Sequence, residues 1–341
     1  MMRLVTVLAV LCVAACDVDQ AVLEIRGETM GTTYTIVAVD KTGALKAEEV
    51  RSAVEKTLAD VNATMSNWDP NSEISRFNAQ QGTDPVAISD ELALVMGVAN
   101  EVHVQSLGRF DVTLGPLIEL WGFGTRNSES PVPSDGEIAA ARQIVGQSKV
   151  LSLTTDPPSL RKTVPEATVF LAAIAKGYGV DRVAATLREQ GLGDYMVEIG
   201  GEVVASGKNP KGEIWSIGIE RPDAAKRTVE SIVRLPDMGM ATSGDYRNYF
   251  EENGVRYSHI IDSESGRPIT HLTASVTVIA ENAMLADGWA TALLALGKER
   301  GLQIANEIGL AAFFIVRDVA DAERSFVTVA SERFVELQGG N

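Results

Sequence analysis

The stretch MLADGWATALLALG, from Met284 to Gly297, has an aspartate and a threonine four residues apart within the apolar spacing of a helix. Residues four apart lie on one helix face, so Asp287 and Thr291 can direct a carboxylate and a hydroxyl at the same point. Two converging oxygens suit a hard cation such as magnesium. Alternatively, Asp287 lies near a helix N-terminus and Thr291 bonds to the preceding turn. The pair alone favours this structural alternative.

A second candidate is FLAAIAKGYGVDR, from Phe170 to Arg182, in which a turn of small residues accompanies Lys176 and then a helix begins. Small side chains let a ligand approach the backbone, and a neighbouring lysine can bind a phosphate. A tight turn with a solvated lysine explains the same pattern. This stretch alone favours the tight turn.

The chain has three histidines, and YSHIIDSESGRPI places His259 in a predicted strand before a glycine-proline turn. His259 is a candidate acid or base, although a structural role fits its spacing at least as well. His103, on a predicted helix, and His271 are interpreted as structural residues. Trp68, in a loop after the first long helix, could stack on a flat ligand but is more typical of a residue that closes a core.

The formal net charge of -16 argues against nucleic-acid binding as a main task. An anionic substrate would therefore need local positive charge or a metal. The two cysteines, Cys12 and Cys16, lie at the N-terminus, so a cysteine nucleophile and a disulfide framework are excluded from the remainder. HExxH, P-loop, nucleophile-elbow and Rossmann glycine motifs are also missing from the sequence.

Residues 1–15 have the proportions of a secretory signal, with Arg3 before a short apolar run and small residues after it. The four residues that end at Cys16 resemble a bacterial lipobox, in which the cysteine becomes the lipidated first residue. We therefore expect a signal peptide over 1–15 and one mature domain over 16–341. Acyl chains would tether that domain to the membrane. Asp17 resembles an inner-membrane retention signal, so the expected location is the periplasmic face of the inner membrane.

Periodicity predicts a strand over 33–39 and an amphipathic helix over 50–65. Cap serines predict helices that begin at Ser89 and at Ser134, the latter with Glu137 in a capping box. After Lys149, short β-rich runs dominate, with helices near 179–190, around 284–297 and over 301–308. This irregular order indicates an α+β fold: a single large domain with a mixed, mainly antiparallel sheet and packed helices.

Eight motifs, taken in order, resemble the ApbE family of FAD:protein FMN transferases and cover nearly the whole predicted mature chain. They are MGTTY, MSNWDPNSEISRFN, GRFDVTLGPLIELWGFG, AAIAKGYGVDR, VEIGGE, MATSGDYRNYF, YSHIIDSESGRPI and MLADGWATALLALG.

The resemblance implies an exported, often lipid-anchored enzyme that uses FAD as substrate and Mg²⁺ as cofactor. It would transfer FMN to a threonine or serine hydroxyl of a partner flavoprotein and release AMP. The acceptors implied resemble subunits of Rnf- and Nqr-type redox complexes. Two alternatives remain open: magnesium-dependent hydrolysis of FAD to FMN and AMP, and a non-catalytic FAD-binding lipoprotein.

The resemblance also implies roles for individual residues. Asp287, Thr291 and the backbone carbonyl of Ala173 match metal ligands, and His259 is the candidate that accepts the proton of the acceptor hydroxyl. The positions that match FAD contacts are Met30, Trp68, Arg109, Phe110, Asp111, Lys176 and Ile261.

Overall fold

The structure, a computed structural model, describes residues 20–124, 132–223, 226–318 and 325–339. The predicted signal peptide at 1–15 and the predicted lipidation site Cys16 lie outside these residues, so both stay predictions. Within the described part of the chain, no helix has both the length and the apolar character needed to span a bilayer.

The described residues form seventeen strands, numbered in chain order. These are β1 Ala21–Thr29, β2 Thr32–Asp40, β3 Val86–Ala87, β4 Leu151–Thr155, β5 Pro158–Lys162, β6 Asp194–Ile199, β7 Glu202–Ser206, β8 Trp215–Glu220, β9 Val229–Leu235, β10 Met238–Gly244, β11 Tyr249–Glu252, β12 Val255–Ser258, β13 Ile261–Asp262, β14 Arg267–Pro268, β15 Thr273–Ala280, β16 Ala311–Arg317 and β17 Phe326–Ala330.

The same residues form nine α-helices, and a 3₁₀ turn covers Arg142–Ile144. The helices are α1 Ala47–Met65, α2 Glu73–Asn78, α3 Asp90–Gln105, α4 Gly115–Leu120, α5 Asp135–Ala141, α6 Gln147–Val150, α7 Ala175–Glu189, α8 Ala283–Glu307 and α9 Glu332–Gly339.

One eight-stranded sheet organises the fold, in the order β1-β2-β6-β7-β10-β15-β16-β17. Every neighbouring pair in it is antiparallel. Helices α1, α3, α7 and α8 pack on one face, whereas the β8–β9 ribbon and α9 pack on the other. Because both faces are covered, β15 is buried at all eight positions. The α+β prediction with a mainly antiparallel sheet is confirmed.

Several predicted elements occur with shifted ends. The N-caps at Ser89 and Ser134 are confirmed, including the capping box with Glu137. Helix α7 begins at Ala175, before the predicted residue 179, so Lys176 lies in its first turn and not in the turn of small residues. The helices predicted around 284–297 and over 301–308 form one element, α8, broken at Gly297 with a φ of 74°. A positive φ at that break favours glycine.

Helices α7 and α8 cross closely enough to require a glycine. A Cβ atom at Gly177 would lie 2.3 Å from the carbonyl oxygen of Ala283. The same crossing caps α8, because Asp181 accepts hydrogen bonds from the backbone N–H groups of Ala283 at 2.9 Å and Met284 at 2.8 Å. The start of α8, and with it Asp287, is therefore fixed by α7.

The ribbon on the other sheet face has one edge occupied by a side chain. The backbone N–H of Arg234 in β9 donates to Oε1 of Gln338 at 2.8 Å, and Nε2 of Gln338 donates to the carbonyl of Arg234 at 3.0 Å. Gln338 belongs to α9, so this terminal helix satisfies the outer edge of β9 at that position.

The pH dependence of folding tests the burial of the Asp181 carboxylate at the start of α8. Burial raises the pKa of Asp181 from 3.8 to about 6, against the lowering effect of the two N–H donors. A raised folded-state pKa stabilises the native state most below pH 3.8, and this contribution is lost as the pH rises through 6. We expect the free energy of unfolding of the wild type, relative to that of Asp181→Asn, to fall by about 2 kcal/mol between pH 4 and 7. Urea unfolding at several pH values measures it.

The control variant is Asp60→Asn, which neutralises an exposed carboxylate paired with Lys56 on the surface of α1. Its stability difference from the wild type should stay nearly constant over the same pH range. Parallel stability curves for the wild type and the Asp181 variant would contradict the raised pKa of Asp181.

Candidate active site

A cavity of about 570 Å³ is lined by strands β8 and β10, the start of β7, the first turn of α7, and Asp287, Thr291 and Ala295 from later turns of α8. It brings together nine residues that the sequence predicted from four separate motifs. They are Arg109, Phe110, Asp111, Ala173, Lys176, His259, Ile261, Asp287 and Thr291.

The two remaining predicted residues, Met30 and Trp68, line an adjoining cavity of about 500 Å³. Ala172 and Lys176 line both cavities, so the two spaces meet at the start of α7. Trp68 is 61% exposed, which excludes the role of closing a core. Its ring meets that of Phe170 edge-on at 5.5 Å, so a large flat surface stands open to a ligand.

Asp287 and Thr291 face the cavity from successive turns of α8, as their spacing predicts. Asp287 is only 3% exposed, and its Oδ2 accepts the backbone N–H of Gly177 at 3.0 Å. The hydroxyl of Thr291 lies 3.0 Å from that of Ser243 in β10. Both side chains thus make contacts to other elements, unlike the structural alternative in which they serve their own helix.

Lys176 reaches into the cavity and forms an ion pair with Oε1 of Glu202, the first residue of β7. Burial alone would lower the pKa of Lys176, but the carboxylates of Glu202 and Asp287 raise it above its ordinary value. Lys176 is therefore a charged group beside the cavity, as a phosphate contact requires.

Glu202 is a site residue that the sequence did not single out. It is 3% exposed, and its Oε2 has no hydrogen-bond partner among the described residues. Burial raises its pKa to about 7 even though Lys176 favours the charged form. In the sequence, Glu202 directly follows the Gly200-Gly201 turn of VEIGGE. An acidic residue beside two glycines, which have no side chain and so leave space for a ligand, is the signal that could have identified it.

The charges in this cavity fit a bound divalent cation. Two buried carboxylates, Asp287 and Glu202, share one lysine, and burial raises the pKa of both, so a bound cation would favour their charged forms. Around Asp287 the available donors are oxygens: its carboxylate, the hydroxyl of Thr291 and the backbone of Ala173, all along the same cavity. No cluster of three or more His, Cys, Asp or Glu side chains suited to a metal occurs in the described ranges. Hard oxygen donors of mixed type match Mg²⁺.

His259 lines the cavity from the bend between β12 and β13, not from within a strand as predicted. Its Nδ1 lies 3.0 Å from the backbone oxygen of Asn248. Because a carbonyl only accepts, Nδ1 carries the proton in the neutral ring and Nε2 keeps its lone pair. Loss of solvent lowers the pKa of His259 below 6.5, although Asn248 and Asp245 favour the charged form. The ring is therefore ready to accept a proton at neutral pH.

The segment 109–111 is held in place mainly by side-chain hydrogen bonds. Arg109 forms ion pairs with Asp262, at 2.5 Å, and with Glu264. The carboxylate of Asp111 accepts from the backbone N–H groups of Thr113, at 2.7 Å, and Gln147, at 2.9 Å. These bonds occupy the carboxylate, so Asp111 shapes this wall of the cavity.

Phe110 is fully buried, and its carbonyl oxygen lies 2.6 Å from Nδ1 of His103. The structural role assigned to His103 is therefore confirmed. Ile261 is buried in β13 and lines the cavity on the same side as His259. His259, Ile260 and Ile261 all line the cavity, so the 259–261 segment forms part of its wall.

Comparison with known proteins agrees with this geometry. The chain matches the profile of the ApbE family over residues 30–314. It is 42% identical to the FAD:protein FMN transferase of Vibrio cholerae serotype O1, over 92% of this chain and 93% of that protein. It is 41% identical to the FAD:protein FMN transferase of Haemophilus influenzae, over 98% of this chain and 96% of that protein.

Solved structures give the same result. The flavin transferase ApbE from Vibrio cholerae superposes with a TM-score of 0.85 at 40% identity, covering 93% of this chain and 99% of that chain. The apo form of the Pseudomonas stutzeri flavinyl transferase ApbE superposes with a TM-score of 0.84 at 40% identity, covering 94% and 98%. The fold and cavity thus define an enzyme of the flavin transferase class. The chain belongs to the ApbE family.

Nuclear magnetic resonance of His259 tests the assigned protonation state. We expect its imidazole to titrate below pH 6.5 and its neutral form to carry the proton on Nδ1. The measurement is a ¹⁵N-labelled histidine titration, with His259→Gln used to assign the signal. A neutral ring protonated on Nε2 would contradict the proposed orientation.

Proposed function

We propose that this protein is a magnesium-dependent FAD:protein FMN transferase that modifies a threonine or serine hydroxyl of a partner flavoprotein and releases AMP. The observation that carries the proposal is the convergence of Asp287, Thr291, Lys176 and His259 in one cavity that joins the Trp68 cavity. The names of the relatives, FAD:protein FMN transferase, support transfer of FMN from FAD to a protein.

The two joined cavities match the two halves of FAD in chemistry. The exposed face of Trp68 offers a stacking surface for a flat ring. Lys176, at the junction of the cavities, offers a cation to the pyrophosphate. Asp287, Thr291 and the carbonyl of Ala173 would hold Mg²⁺, which neutralises phosphate charge when bound.

His259 supplies the proton acceptor for transfer. The acceptor hydroxyl oxygen forms a bond to the phosphorus next to riboflavin, and its proton passes to Nε2 of His259. The bond from this phosphorus to the bridging oxygen breaks, and that oxygen leaves with AMP. The hydrogen bond between Nδ1 and Asn248 keeps the ring in the required tautomer during this step.

We further propose that the enzyme is a lipoprotein on the periplasmic face of the inner membrane, anchored through Cys16, and that its acceptors resemble Rnf- and Nqr-type subunits. The lipobox-like sequence before Cys16 supports the anchor. Expression of Cys16→Ser should move the protein from the membrane fraction to the soluble exported fraction. Membrane association of that variant equal to the wild type would contradict the lipid anchor.

Intact-protein mass spectrometry tests the reaction itself. The mature protein is incubated with FAD, Mg²⁺ and the soluble domain of a Rnf- or Nqr-type subunit, with and without a chelator. We expect a chelator-sensitive mass gain of one FMN on the subunit and an equal amount of AMP. AMP and free FMN without a mass gain would favour FAD hydrolysis, whereas neither product would favour a non-catalytic binding protein.

Substitution of Asp287 tests the metal site. Asp287→Asn keeps the shape of the side chain but removes the charge that would hold Mg²⁺, so transfer should fall by roughly 100-fold or more. Initial rates at several magnesium concentrations measure this loss. The matched control is Asp60→Asn on the exposed surface of α1, which should retain the wild-type rate. Equal rates for both variants would overturn the metal assignment.

Substitution of His259 tests the proton acceptor. His259→Ala should slow transfer by roughly 100-fold or more and leave FAD affinity near the wild-type value. Single-turnover transfer and flavin-fluorescence titration separate the two effects. A loss confined to FAD affinity would reassign His259 to binding.

A further inference from the structure

The outer edge of β8 lies directly at the mouth of the cavity. Ile217, Gly218 and Glu220 of this strand all line the cavity. Among the strands that the structure describes, β8 pairs with β9 alone, in a two-stranded ribbon. The edge of β8 that faces away from β9 is therefore free of any strand neighbour in the described ranges.

The register of the ribbon shows which backbone groups point along this edge. Arg234 directs both its N–H and its C=O away from β8, to Gln338. In an antiparallel pair, the residue opposite such a position also directs both groups outward, and the pattern alternates along the strand. Ser216 lies opposite Arg234, and Gly218 lies opposite Ile232. Ser216 and Gly218 therefore present N–H and C=O groups away from β9.

The outer face of the ribbon carries two exposed apolar side chains beside Gly218, unlike the inner face, which packs on the main sheet. Ile232 is 69% exposed and Val229 is also exposed. They flank Gly218, which is itself exposed and adds no side chain between them. A Cβ atom at Gly218 would lie 3.3 Å from the side chain of Val229, so Val229 already packs against this glycine. A side chain of an added strand could pack beside Val229 and Ile232.

The proposed reaction brings a polypeptide to this place. A threonine or serine hydroxyl is only two bonds from its own main chain, so the acceptor backbone must come to the cavity mouth with it. Its N–H and C=O groups lose water there and need partners. A free strand edge supplies such partners in a regular array.

The charges beside β8 add a preference. Glu220 at the end of β8 is approached by two arginines, Arg247 at 2.8 Å and Arg227 at 3.9 Å. Arg221 pairs with Glu230 at 3.4 Å, so the group has one arginine in excess. In a chain of net charge -16, this local positive charge favours an acidic residue in the partner segment.

We propose that the outer edge of β8 is the docking strand for the acceptor, which adds an extended segment to the ribbon and so brings its hydroxyl into the cavity. This inference rests on the proposed transferase function. The occupant is a segment of the acceptor polypeptide, with an apolar side chain against Val229 and Ile232 and an acidic residue near Glu220.

A proline at position 216 tests the edge without entering the cavity. Because the N–H of Ser216 points outward, Ser216→Pro removes one docking hydrogen bond and leaves the β8–β9 pairing intact. We expect the KM for the acceptor subunit to rise about five- to tenfold, with kcat and FAD affinity close to wild type. Ser216→Ala keeps the N–H and should behave as the wild type.

A second pair of variants tests the apolar face. Ile232→Asp should raise the KM for the same subunit, whereas Val104→Asp on α3, where Val104 is 68% exposed, should leave it unchanged. Thermal unfolding of all four variants shows whether each is folded. If Ser216→Pro does not fold, the comparison of Ile232→Asp with Val104→Asp and the amide-exchange measurement decide whether β8 is the docking strand.

Amide hydrogen exchange of the wild type with the subunit, without FAD, gives an independent readout. We expect new protection of the Ser216 and Gly218 amides. If the wild type transfers FMN while folded Ser216→Pro and Ile232→Asp keep the wild-type KM for the acceptor, the docking strand is wrong. The proposed transferase function then still stands. Protection that develops with enzyme concentration in the absence of the subunit would instead assign the edge to self-association and overturn the docking strand too. A wild type that transfers no FMN would overturn the proposed function, and this inference with it.

Discussion

The burial of the Asp287 carboxylate is the constraint on which the rest of the site depends. A buried charge needs compensation, and here it comes from the backbone N–H of Gly177 and from nearby Lys176. That N–H can reach Asp287 only because α7 and α8 cross at Gly177, where a side chain would collide with Ala283. The crossing in turn requires both helices to pack on the same face of the central sheet.

The same geometry explains why one acidic chain can act on an anionic substrate. Lys176 and the start of α7 provide positive potential at the cavity, while the protein as a whole carries a net charge of -16. Glu202 keeps Lys176 directed into the cavity. The site is therefore balanced for a cation and an anion together, and neither partner alone would be well matched.

Much of this arrangement could be predicted because its signals are local. Asp287 and Thr291 share a helix face at a four-residue spacing, and the caps at Ser89 and Ser134 lie within three residues of their partners. Glu202 could not be identified in this way, because its pairing with Lys176 arises only when the sheet order places β7 beside α7. The start of α7 was also missed, since Ile174 gives no side-chain cap and contacts across α8 decide where the helix begins.

The amide of Gln338 has a consequence for solubility. A two-stranded ribbon has two edges with unpaired backbone N–H and C=O groups. A protein that exposes both edges can pair with further copies of itself in an open-ended array. On the β9 edge, the side-chain amide of Gln338 makes the two hydrogen bonds to Arg234 that a residue of a neighbouring strand would make. Helix α9 thus opposes strand pairing at the β9 edge and so opposes fibre growth. Among the described residues, the β8 edge of the ribbon remains open to another strand.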